Sequence, residues 1–527
     1  MKGIGAGSLA LAAGPLLAAC GGGGSSGTQA STGAGAFPNN IATPGNPSKG
    51  GNLRVAMTGN GTAENYNPFI SSTPIDSTHT SSVFDGMRTV APNGKYDPGL
   101  VLEWNPNKDF TAYELKTREG VTWHDGKPFV PEDLVYTLNM MGSKESLGSN
   151  ATQFVDLKGV KKAGKNLVHV PLTTPVANLE AYFGYFNTNF VVQDGTKDFG
   201  KPVGTGPYKL KSFQPGQRSV LVRNDNYWRD PYPYVDQLEI ISIDDADARL
   251  NALNGGQIDI ALNLPYPVAK ANLNSDQYKV VVSTGGVGYI FYMRCDTGPF
   301  KDPRVRQAMK LVIDREAMIN AALSGFGDPG NDLQSRFDPF FLKSHKATHD
   351  PEKAKSLLKA AGAEGLQVTL QTSEVLPGFV DAATVFAQQA QAAGIKITVK
   401  REPLAQYFNP EVLYLKMDFA QDAWPSPSIP YTYSSQFLSN AFLNQTHNKS
   451  KEFDQLFLKA QAEPDHAKAQ DLWNQVQQYQ LDQGGVIVWA YWRSADACSH
   501  KVRGFGEQGS GWMSGNDDER TWRWGFA

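Results

Sequence analysis

After residue 48, hydrophobic residues recur through most of the chain with either the period of a strand or the period of a helix. Tyr113, Leu115 and Thr117 alternate with charged residues, which is typical of a half-buried strand. An Asp-Gly pair at residues 125–126 predicts a tight turn. Pro131 then opens a predicted helix, because proline gives up no hydrogen bond at the first helical position. Strand, turn and helix start are thus specified within one supersecondary unit.

The second half of the chain contains a β-α-β pattern. Residues 366–370 and 395–399 have the composition of strands, and residues 380–393 have helical spacing between them. Asp302 and Asp314 stand where they would cap the first turns of two further helices. Strands that alternate with helices in this way indicate an α/β protein.

Three stretches carry more specific expectations. Val83, Phe84 and Met87 predict a short helix near the start of the body. Residues 460–481 carry an apolar face at helical spacing and predict one helix. Val486–Trp492 is apolar throughout, which predicts a buried strand that returns to the first part of the body.

Composition excludes several classes of partner. Of the 527 residues 19% are charged and the formal net charge is −3, so neither nucleic acid nor an anionic membrane surface is expected to bind. The three cysteines are too few for a disulfide scaffold. Cys295 and Cys498 form either one bridge or two free thiols.

The first 47 residues have the composition of an export signal and a tether. No charged residue occurs between Gly3 and Ser48, and the apolar run ends at Leu17-Ala18-Ala19-Cys20, which resembles the bacterial lipobox. The resemblance implies cleavage before Cys20 and lipidation of its thiol. Residues 1–19 are therefore a predicted signal peptide, and residues 20–47 the lipidated cysteine and a flexible linker. The run also resembles the tail of a twin-arginine signal, which would make Met1 an internal start.

The phrases DPGLVLEWNPN, YELKTREGVTWHDGKPFVPEDLVYTL and GTGPYKL carry a resemblance over nearly all of the chain after the leader. They are similar to the family 5 extracytoplasmic solute-binding proteins of ABC importers, the peptide- and nickel-binding group. The resemblance implies an α/β, two-lobed periplasmic-binding-protein-like fold of type II. An extra domain is inserted in the first lobe, and the ligand cleft lies between the lobes.

The implied domain boundaries follow the motifs. The first lobe is discontinuous and takes residues 48–86, 204–286 and 489–527. Residues 87–203 form the extra domain, and residues 287–488 form the second lobe. Hinged closure of the two lobes on a ligand is expected.

Two segments are candidates for the ligand site. The resemblance implies that Ser72, Thr73 and Pro74 present backbone groups to a bound peptide, while an ordinary surface loop is the alternative. In residues 419–437, peptide-binding members commonly carry an Asp where this chain has Ala423, and Asp422 lies one residue earlier. Because a one-residue shift in a strand reverses the side chain, the anchor for a peptide amino terminus is in doubt.

Aromatic residues complete the predicted site. Trp424, Tyr431 and Tyr433 offer flat surfaces for sugars or for ligand side chains, and packing between domains is the alternative for each. Trp489 and Trp492 are three residues apart, so period two places them on opposite faces of a strand. Trp489 is the candidate ligand contact of this pair.

The function expected from the resemblance is that of a substrate-binding lipoprotein, not an enzyme. It would capture a ligand outside the cytoplasmic membrane and deliver it to an ABC permease, as a monomer held to the membrane by its lipid. Peptides are the first candidate ligand, oligosaccharides the second and nickel chelates the third. We find no catalytic motif and expect no metal or cofactor, although paired carboxylates leave a secreted, lipid-anchored hydrolase as the alternative class.

Overall fold

The computed structural model describes residues 46–90, 96–184, 188–283, 285–409, 412–506 and 521–527. All of them belong to one compact unit that spans Phe37–Ala527. The predicted signal peptide, Cys20 and nearly all of the predicted linker lie outside the described residues.

Strands and helices alternate from the start of the body. The elements of the first half are β1 (Asn52–Met57), α1 (Pro74–Val83), β2 (Arg88–Val90), β3 (Tyr96–Pro98), β4 (Val101–Pro106), β5 (Ala112–Thr117), α2 (Pro131–Met141), β6 (Lys161–Gly164), β7 (Leu167–Pro171), β8 (Tyr208–Gln214), β9 (Arg218–Arg223), β10 (Gln237–Ser242), α3 (Ala246–Asn254), β11 (Ile260–Ala261), α4 (Tyr266–Ala271) and β12 (Lys279–Val282).

The second half is richer in helices. Its elements are β13 (Val287–Met293), α5 (Pro303–Leu311), α6 (Arg315–Leu323), β14 (Gly327–Pro329), α7 (Pro351–Ala360), β15 (Gln367–Thr372), α8 (Phe379–Ala390), β16 (Lys396–Arg401), α9 (Leu404–Tyr407), β17 (Phe419–Pro425), α10 (Ile429–Gln436), α11 (Lys451–Gln461), α12 (His466–Gln483), β18 (Val486–Trp492), β19 (Ala495–Cys498), β20 (Val502–Arg503) and β21 (Gly525–Phe526).

The first lobe is built on a seven-stranded sheet in the order β12-β19-β11-β1-β10-β9-β8. Its central strand β1 runs parallel to both β10 and β11, so strands from distant parts of the chain meet on either side of it. The buried residues of β1 include Leu53 and Val55, both with no exposed surface. Chain segments far apart in sequence therefore share one core.

The extra domain carries the four-stranded antiparallel sheet β4-β5-β7-β6, with α2 packed against it. The predicted alternation of β5 is confirmed, since Tyr113, Leu115 and Thr117 are buried and their neighbours are not. The predicted helix after Pro131 is confirmed as α2. Its first turn is capped by the Asp133 carboxylate, which accepts the Val130 N–H at 2.9 Å.

The second lobe is a six-stranded sheet in the order β14-β18-β13-β17-β15-β16. The predicted β-α-β unit is confirmed as β15, α8 and β16, and the two strands are parallel. Helices α5, α6 and α8 pack with one face of the sheet, where Phe291 and Phe386 meet at 4.6 Å between ring centroids. The caps Asp302 and Asp314 are also confirmed.

Three expectations about elements are wrong. The helix expected around Val83–Met87 lies earlier in the chain, since α1 spans Pro74–Val83 and Phe84 after it is extended. Residues 460–481 are not one helix, since α11 ends at Gln461 and α12 begins at His466. The predicted strand β18 exists, but it pairs with β13 and β14 in the second lobe, and the chain re-enters the first lobe only with β19. A lobe boundary between residues 488 and 489 thus cuts through a continuous strand.

The two tryptophans of β18 lie on the same face of the sheet. The register between β13 and β18 shifts at one point, where Tyr289 is opposite Ala490 and Ile290 is opposite Val488. Trp489 is therefore the extra residue of a β-bulge, which changes the direction of side chains after it. Trp489 and Trp492 both contact Tyr289 in the core beneath the sheet, so the opposite-face prediction is wrong.

Candidate ligand-binding site

Strand β17 has one paired edge and one mostly open edge. It pairs with β13 along its whole length, from Phe419 opposite Met293 to Pro425 opposite Val287. Its pairing with β15 in the described chain is a single register, Gln371 opposite Ala420. Strand β15 ends at Thr372, one residue after this register, and the open edge of β17 begins there.

The Tyr407 side chain occupies the hydrogen-bonding groups of the first residue along this edge, Gln421. Its hydroxyl accepts the Gln421 N–H at 3.1 Å and donates to the Gln421 carbonyl at 2.9 Å. The backbone groups of Gln421 thus point away from β13, and in an antiparallel ladder those of Ala423 point the same way. An open strand edge of this kind accepts an added extended chain through main-chain hydrogen bonds.

Asp422 faces the interior of the second lobe. Its carboxylate accepts hydrogen bonds from the Tyr414 hydroxyl at 2.8 Å, from Gln445 Nε2 at 2.7 Å and from the Ala423 N–H at 2.7 Å. Burial raises the pKa of Asp422 to about 6, although these donors oppose the rise. A carboxylate held by three internal donors, in a residue only 4% exposed, is not placed to anchor an amino terminus.

Trp424 belongs to the same hydrogen-bonded group. Its indole Nε1–H donates to Gln445 Oε1 at 3.2 Å, so Gln445 joins Trp424 to Asp422. The Trp424 side chain is half-buried and lies on the same face of β17 as Asp422. It is the one predicted aromatic contact of β17 and α10 that keeps substantial exposed surface.

Helix α10 lies against the extra domain. The Ser428 hydroxyl accepts the Tyr431 N–H at 3.2 Å as an N-cap and donates to the Ala181 carbonyl at 2.6 Å. Gln153 Nε2 also donates to the Ser434 hydroxyl at 2.9 Å. Tyr431 is 8% exposed and Tyr433 is 1% exposed, so both rings are packed between domains in this structure.

Ser72, Thr73 and Pro74 lie at the start of α1 in the first lobe. Ser72 is exposed, while Thr73 caps the helix: its hydroxyl accepts the Asp76 N–H at 3.4 Å and donates to the Asp76 carboxylate at 2.7 Å. Pro74 occupies the first helical position. The segment is thus an ordered helix start whose outer residue reaches solvent.

Trp489 does not line an open cleft. The side chain has no exposed surface and packs against Tyr289 and Phe291 on the helix-covered face of the sheet. Its expected role as a ligand contact is wrong for this structure. The physical reason is strand alternation, because Trp489 follows Ile487 by two positions and both side chains lie in the same helix-covered core.

The structure brings Asp422 and Trp424 together through Gln445, and it places Tyr431 and Tyr433 on one neighbouring helix. It leaves Trp489 in a separate core, and it leaves Ser72–Pro74 on the other lobe. Sequence reasoning missed Tyr407, Tyr414 and Gln445, which shape the site. No local pattern marks them, since they meet β17 only through tertiary packing.

The described residues lack a membrane-spanning helix and a metal-binding cluster. Within those ranges no helix has the length and apolar character needed to cross a membrane. The same residues contain no group of three or more His, Cys, Asp or Glu side chains that could hold a metal ion. Both remaining cysteines, Cys295 and Cys498, are free thiols.

Comparison with known proteins identifies the family. The family model described as "Bacterial extracellular solute-binding proteins, family 5 Middle" matches residues 95–445, which is most of the chain. The chain belongs to this family. The solute-binding proteins of family 5 serve ABC importers outside the cytoplasm, and the expected family is therefore confirmed.

Known relatives and a solved structure agree with the family. The dipeptide-binding protein of Escherichia coli is 26% identical over 487 residues, which cover 84% of this chain and 90% of the relative. The oligopeptide-binding protein AppA of Bacillus subtilis is 27% identical, with 88% of each chain covered. The periplasmic binding protein DppA of Helicobacter pylori, solved with the peptide STSA, superposes with a TM-score of 0.76 at 18% identity, over 91% of this chain and 98% of that one. The two-lobed type II fold is thereby confirmed.

Proposed function

We propose that this family 5 protein captures peptides outside the cytoplasmic membrane and delivers them to an ABC permease. The open edge of β17 carries the proposal, because the Ala423 carbonyl is turned towards it, while the Ala423 N–H is bonded to the Asp422 carboxylate. An extended peptide can pair there with little demand on its side chains. Two relatives are named for dipeptides and oligopeptides, which supports the same ligand class.

A thermal-shift screen tests the ligand class directly. The body from Ser48 onward is melted with di- to pentapeptides, with cello- and xylo-oligosaccharides and with nickel chelates. A ligand at one hundred times its dissociation constant stabilises the folded state by about 2.7 kcal/mol. We expect a concentration-dependent rise in melting temperature with peptides. A rise only with sugars or chelates would overturn the peptide assignment, and hydrolysis of any of them would point to an enzyme.

Oligosaccharides are the second candidate, and one observation favours them. Ala423 stands where peptide-binding members commonly have an Asp, and the neighbouring Trp424 offers a half-buried aromatic face. Aromatic faces stack on sugar rings without needing a charged partner. If sugars bind, Trp424→Ala should abolish their thermal shift.

We also propose that Cys20 carries a lipid anchor. The Leu17-Ala18-Ala19-Cys20 sequence and the uncharged stretch from Gly3 to Ser48 support this. Two acyl chains anchor a protein stably where a single chain does not. Mass spectrometry of the mature N-terminus should find a diacylated cysteine, and Cys20→Ala should release the protein from the membrane fraction. An unmodified Cys20 in a protein that still sediments with membranes would contradict the anchor.

A further inference from the structure

A cavity of about 190 Å³ lies between the extra domain and the second lobe. The extra domain contributes Phe110, Val176 and Tyr182 to its walls, and the second lobe contributes Phe340, Pro430 and Trp473. The proposed peptide edge on β17 does not include this space. The cavity is therefore a separate feature of the same two-lobed body.

The second-lobe wall is aromatic and rigidly packed. Trp473 lies 5.4 Å from Phe457 and 6.5 Å from Phe340, measured between ring centroids. Two small residues, Ala460 and Ala469, are also part of the lining, and they leave room between the larger rings. The lining is mostly apolar, with flat aromatic faces against which another aromatic ring packs well, and it also includes the polar residues Asn178, Gln461, Glu463 and His466.

Phe110 is held at the cavity in an unusual backbone conformation. Its φ angle is 55°, in the left-handed region that bulky residues rarely adopt. The turn is fixed by Asn107, whose carbonyl accepts the Phe110 N–H at 3.2 Å, and the Phe110 carbonyl accepts the Val176 N–H at 2.9 Å. A residue in this conformation is common in hairpin turns, and Phe110 lies in the turn that joins β4 to β5. The turn therefore holds the Phe110 ring at the cavity.

Gln461 joins the two walls. Its side chain accepts a hydrogen bond from the Tyr182 hydroxyl and donates to the Pro175 carbonyl at 3.3 Å, and its backbone carbonyl accepts the Ala177 N–H at 2.8 Å. These bonds exist only while the extra domain rests on the second lobe. The cavity is consequently complete only in that closed arrangement.

We propose that this cavity binds a phenyl-sized apolar group and that binding favours closure of the two lobes. An enclosed apolar cavity of roughly 150 Å³ binds benzene, so the space here is large enough for a ring of that size. A group that contacts both walls binds the closed state better than the open state, which shifts the population towards closure. The group is either a small aromatic molecule or a side chain of the transported ligand. The second source rests on the proposed peptide function.

Isothermal titration with two kinds of probe separates these sources. Benzyl alcohol serves as the free aromatic molecule, and tetra-alanine is compared with a tetrapeptide in which one alanine is replaced by phenylalanine. We expect benzyl alcohol to bind, or the phenylalanine peptide to bind about tenfold more tightly than tetra-alanine in at least one position. If neither occurs, the cavity is not a binding site. If no peptide binds at all, the proposed function fails while benzyl alcohol still decides the cavity.

Cavity-filling variants locate the binding. Ala469→Leu places a larger side chain in the space, and Ala467→Leu on the exposed side of the same helix α12 is the matched control. The first variant should weaken phenyl binding by about tenfold and the second should not. Phe110→Asn supplies a second test that adds no volume, because Asn tolerates positive φ and removes only the ring. Equal phenyl binding by wild type, Ala469→Leu and Phe110→Asn would overturn the proposal.

Discussion

The carboxylate of Asp422 is an acceptor inside the second lobe, with Tyr414, Gln445 and the Ala423 N–H as its donors. Every one of these donors belongs to the protein, so the residue stabilises the loop behind β17. Ala423, one position later, turns to the opposite side of the strand. The Ala423 side chain is partly buried against the helix-covered core of the second lobe, on the face of β17 opposite to Trp424.

Asp422→Asn should destabilise the protein without changing ligand selectivity. The N–H groups of the new amide would face Gln445 Nε2, which is itself a donor. The Gln445 Oε1 atom already accepts a hydrogen bond from Trp424. An unmet buried donor costs about 1–3 kcal/mol of the free energy of unfolding, measurable by urea denaturation. Asp418→Asn is the control, since Asp418 is exposed and should change stability by less than about 0.5 kcal/mol. Lost ligand binding at unchanged stability would show that Asp422 faces the ligand.

Ala423→Asp should create a preference for a free amino terminus. It places a carboxylate where peptide-binding members commonly have one, while wild type should bind free and N-acetylated peptides with similar affinity. A hydrogen bond to a charged group contributes about 1.5–3 kcal/mol, or roughly ten- to hundredfold in affinity. Titration of one tetrapeptide in both forms measures the ratio for each protein. A wild type that already rejects the acetylated peptide would mean that another acid binds the amine.

His79 should make the protein sensitive to acid. It is fully buried on α1, stacks on Tyr66 and hydrogen-bonds to Ser219 at 2.9 Å, and burial lowers the pKa of His79 to about 3. The unfolded chain therefore binds one more proton than the folded protein between about pH 3 and 6.5, so this contribution to stability is lost as pH falls through that window.

The matching experiment compares wild type with His79→Gln from pH 7 to pH 4. Stability of the variant relative to wild type should improve by roughly 2–3 kcal/mol across that range, because each pKa unit corresponds to about 1.4 kcal/mol. Asp422 and Asp338, whose pKa values burial raises to about 6, act in the opposite direction in both proteins and cancel in the comparison. His500→Gln, at an exposed position, should show no such change.

At the scale of elements, β18 carries two tryptophans that both enter one core. The bulge at Trp489 reverses the direction that period two alone would give, and Trp492 then stacks on Tyr289 at 5.8 Å. The same strand ends in the second lobe, and the crossing to the first lobe falls between β18 and β19. Strand β18 is therefore part of the frame that supports β13 and β17.

Trp489→Phe and Trp424→Phe should distinguish a residue that stabilises the sheet from a residue that contacts the ligand. The first variant leaves a gap beside Tyr289 and Phe291 and should cost about 1–3 kcal/mol of the free energy of unfolding with ligand affinity nearly unchanged. The second should change ligand affinity more than stability, because Trp424 is half-buried beside the open edge of β17. Denaturation and titration of both proteins give the comparison. A reversed pattern would return Trp489 to the ligand site.

At the scale of the whole molecule, the extra domain and the second lobe are joined by polar contacts. Ser428 bonds to Ala181, Gln153 bonds to Ser434, and Gln461 bonds to three groups of the extra domain. Such contacts contribute to the free energy of closure, which a ligand can only supplement by its own preference for the closed state.

Gln461→Ala should shift the ligand-free protein towards an open form. Loss of the amide leaves the buried Tyr182 hydroxyl without its acceptor. This should destabilise the closed state relative to the open state by about 1–3 kcal/mol. Small-angle X-ray scattering should show a larger radius of gyration, and ligand affinity should fall about five- to hundredfold. Gln478→Ala is the control, because Gln478 is exposed and bonds only to Asp482 among the described residues. Unchanged scattering and affinity in Gln461→Ala would remove this contact from the closure mechanism.

Much of the fold was determined by local sequence. Asp302 and Asp314 cap helices where they were expected, since a cap depends only on residues two or three positions away. The alternation of β5 and the β-α-β unit were also predicted from the sequence, because strand and helix periods are local properties. Together with the family motifs they determined the α/β class and the two-lobed architecture.

Only the tertiary structure decided the details of the site. The open edge of β17 exists because β15 ends beside its start, and the bulge at Trp489 exists because of the register between β13 and β18. Asp422 is buried because Tyr414 and Gln445 fold over it, and Gln461 meets Tyr182 across 279 residues of chain. Pairing register and long-range contacts are set by the packing of distant segments, and no period or cap in the local sequence encodes them.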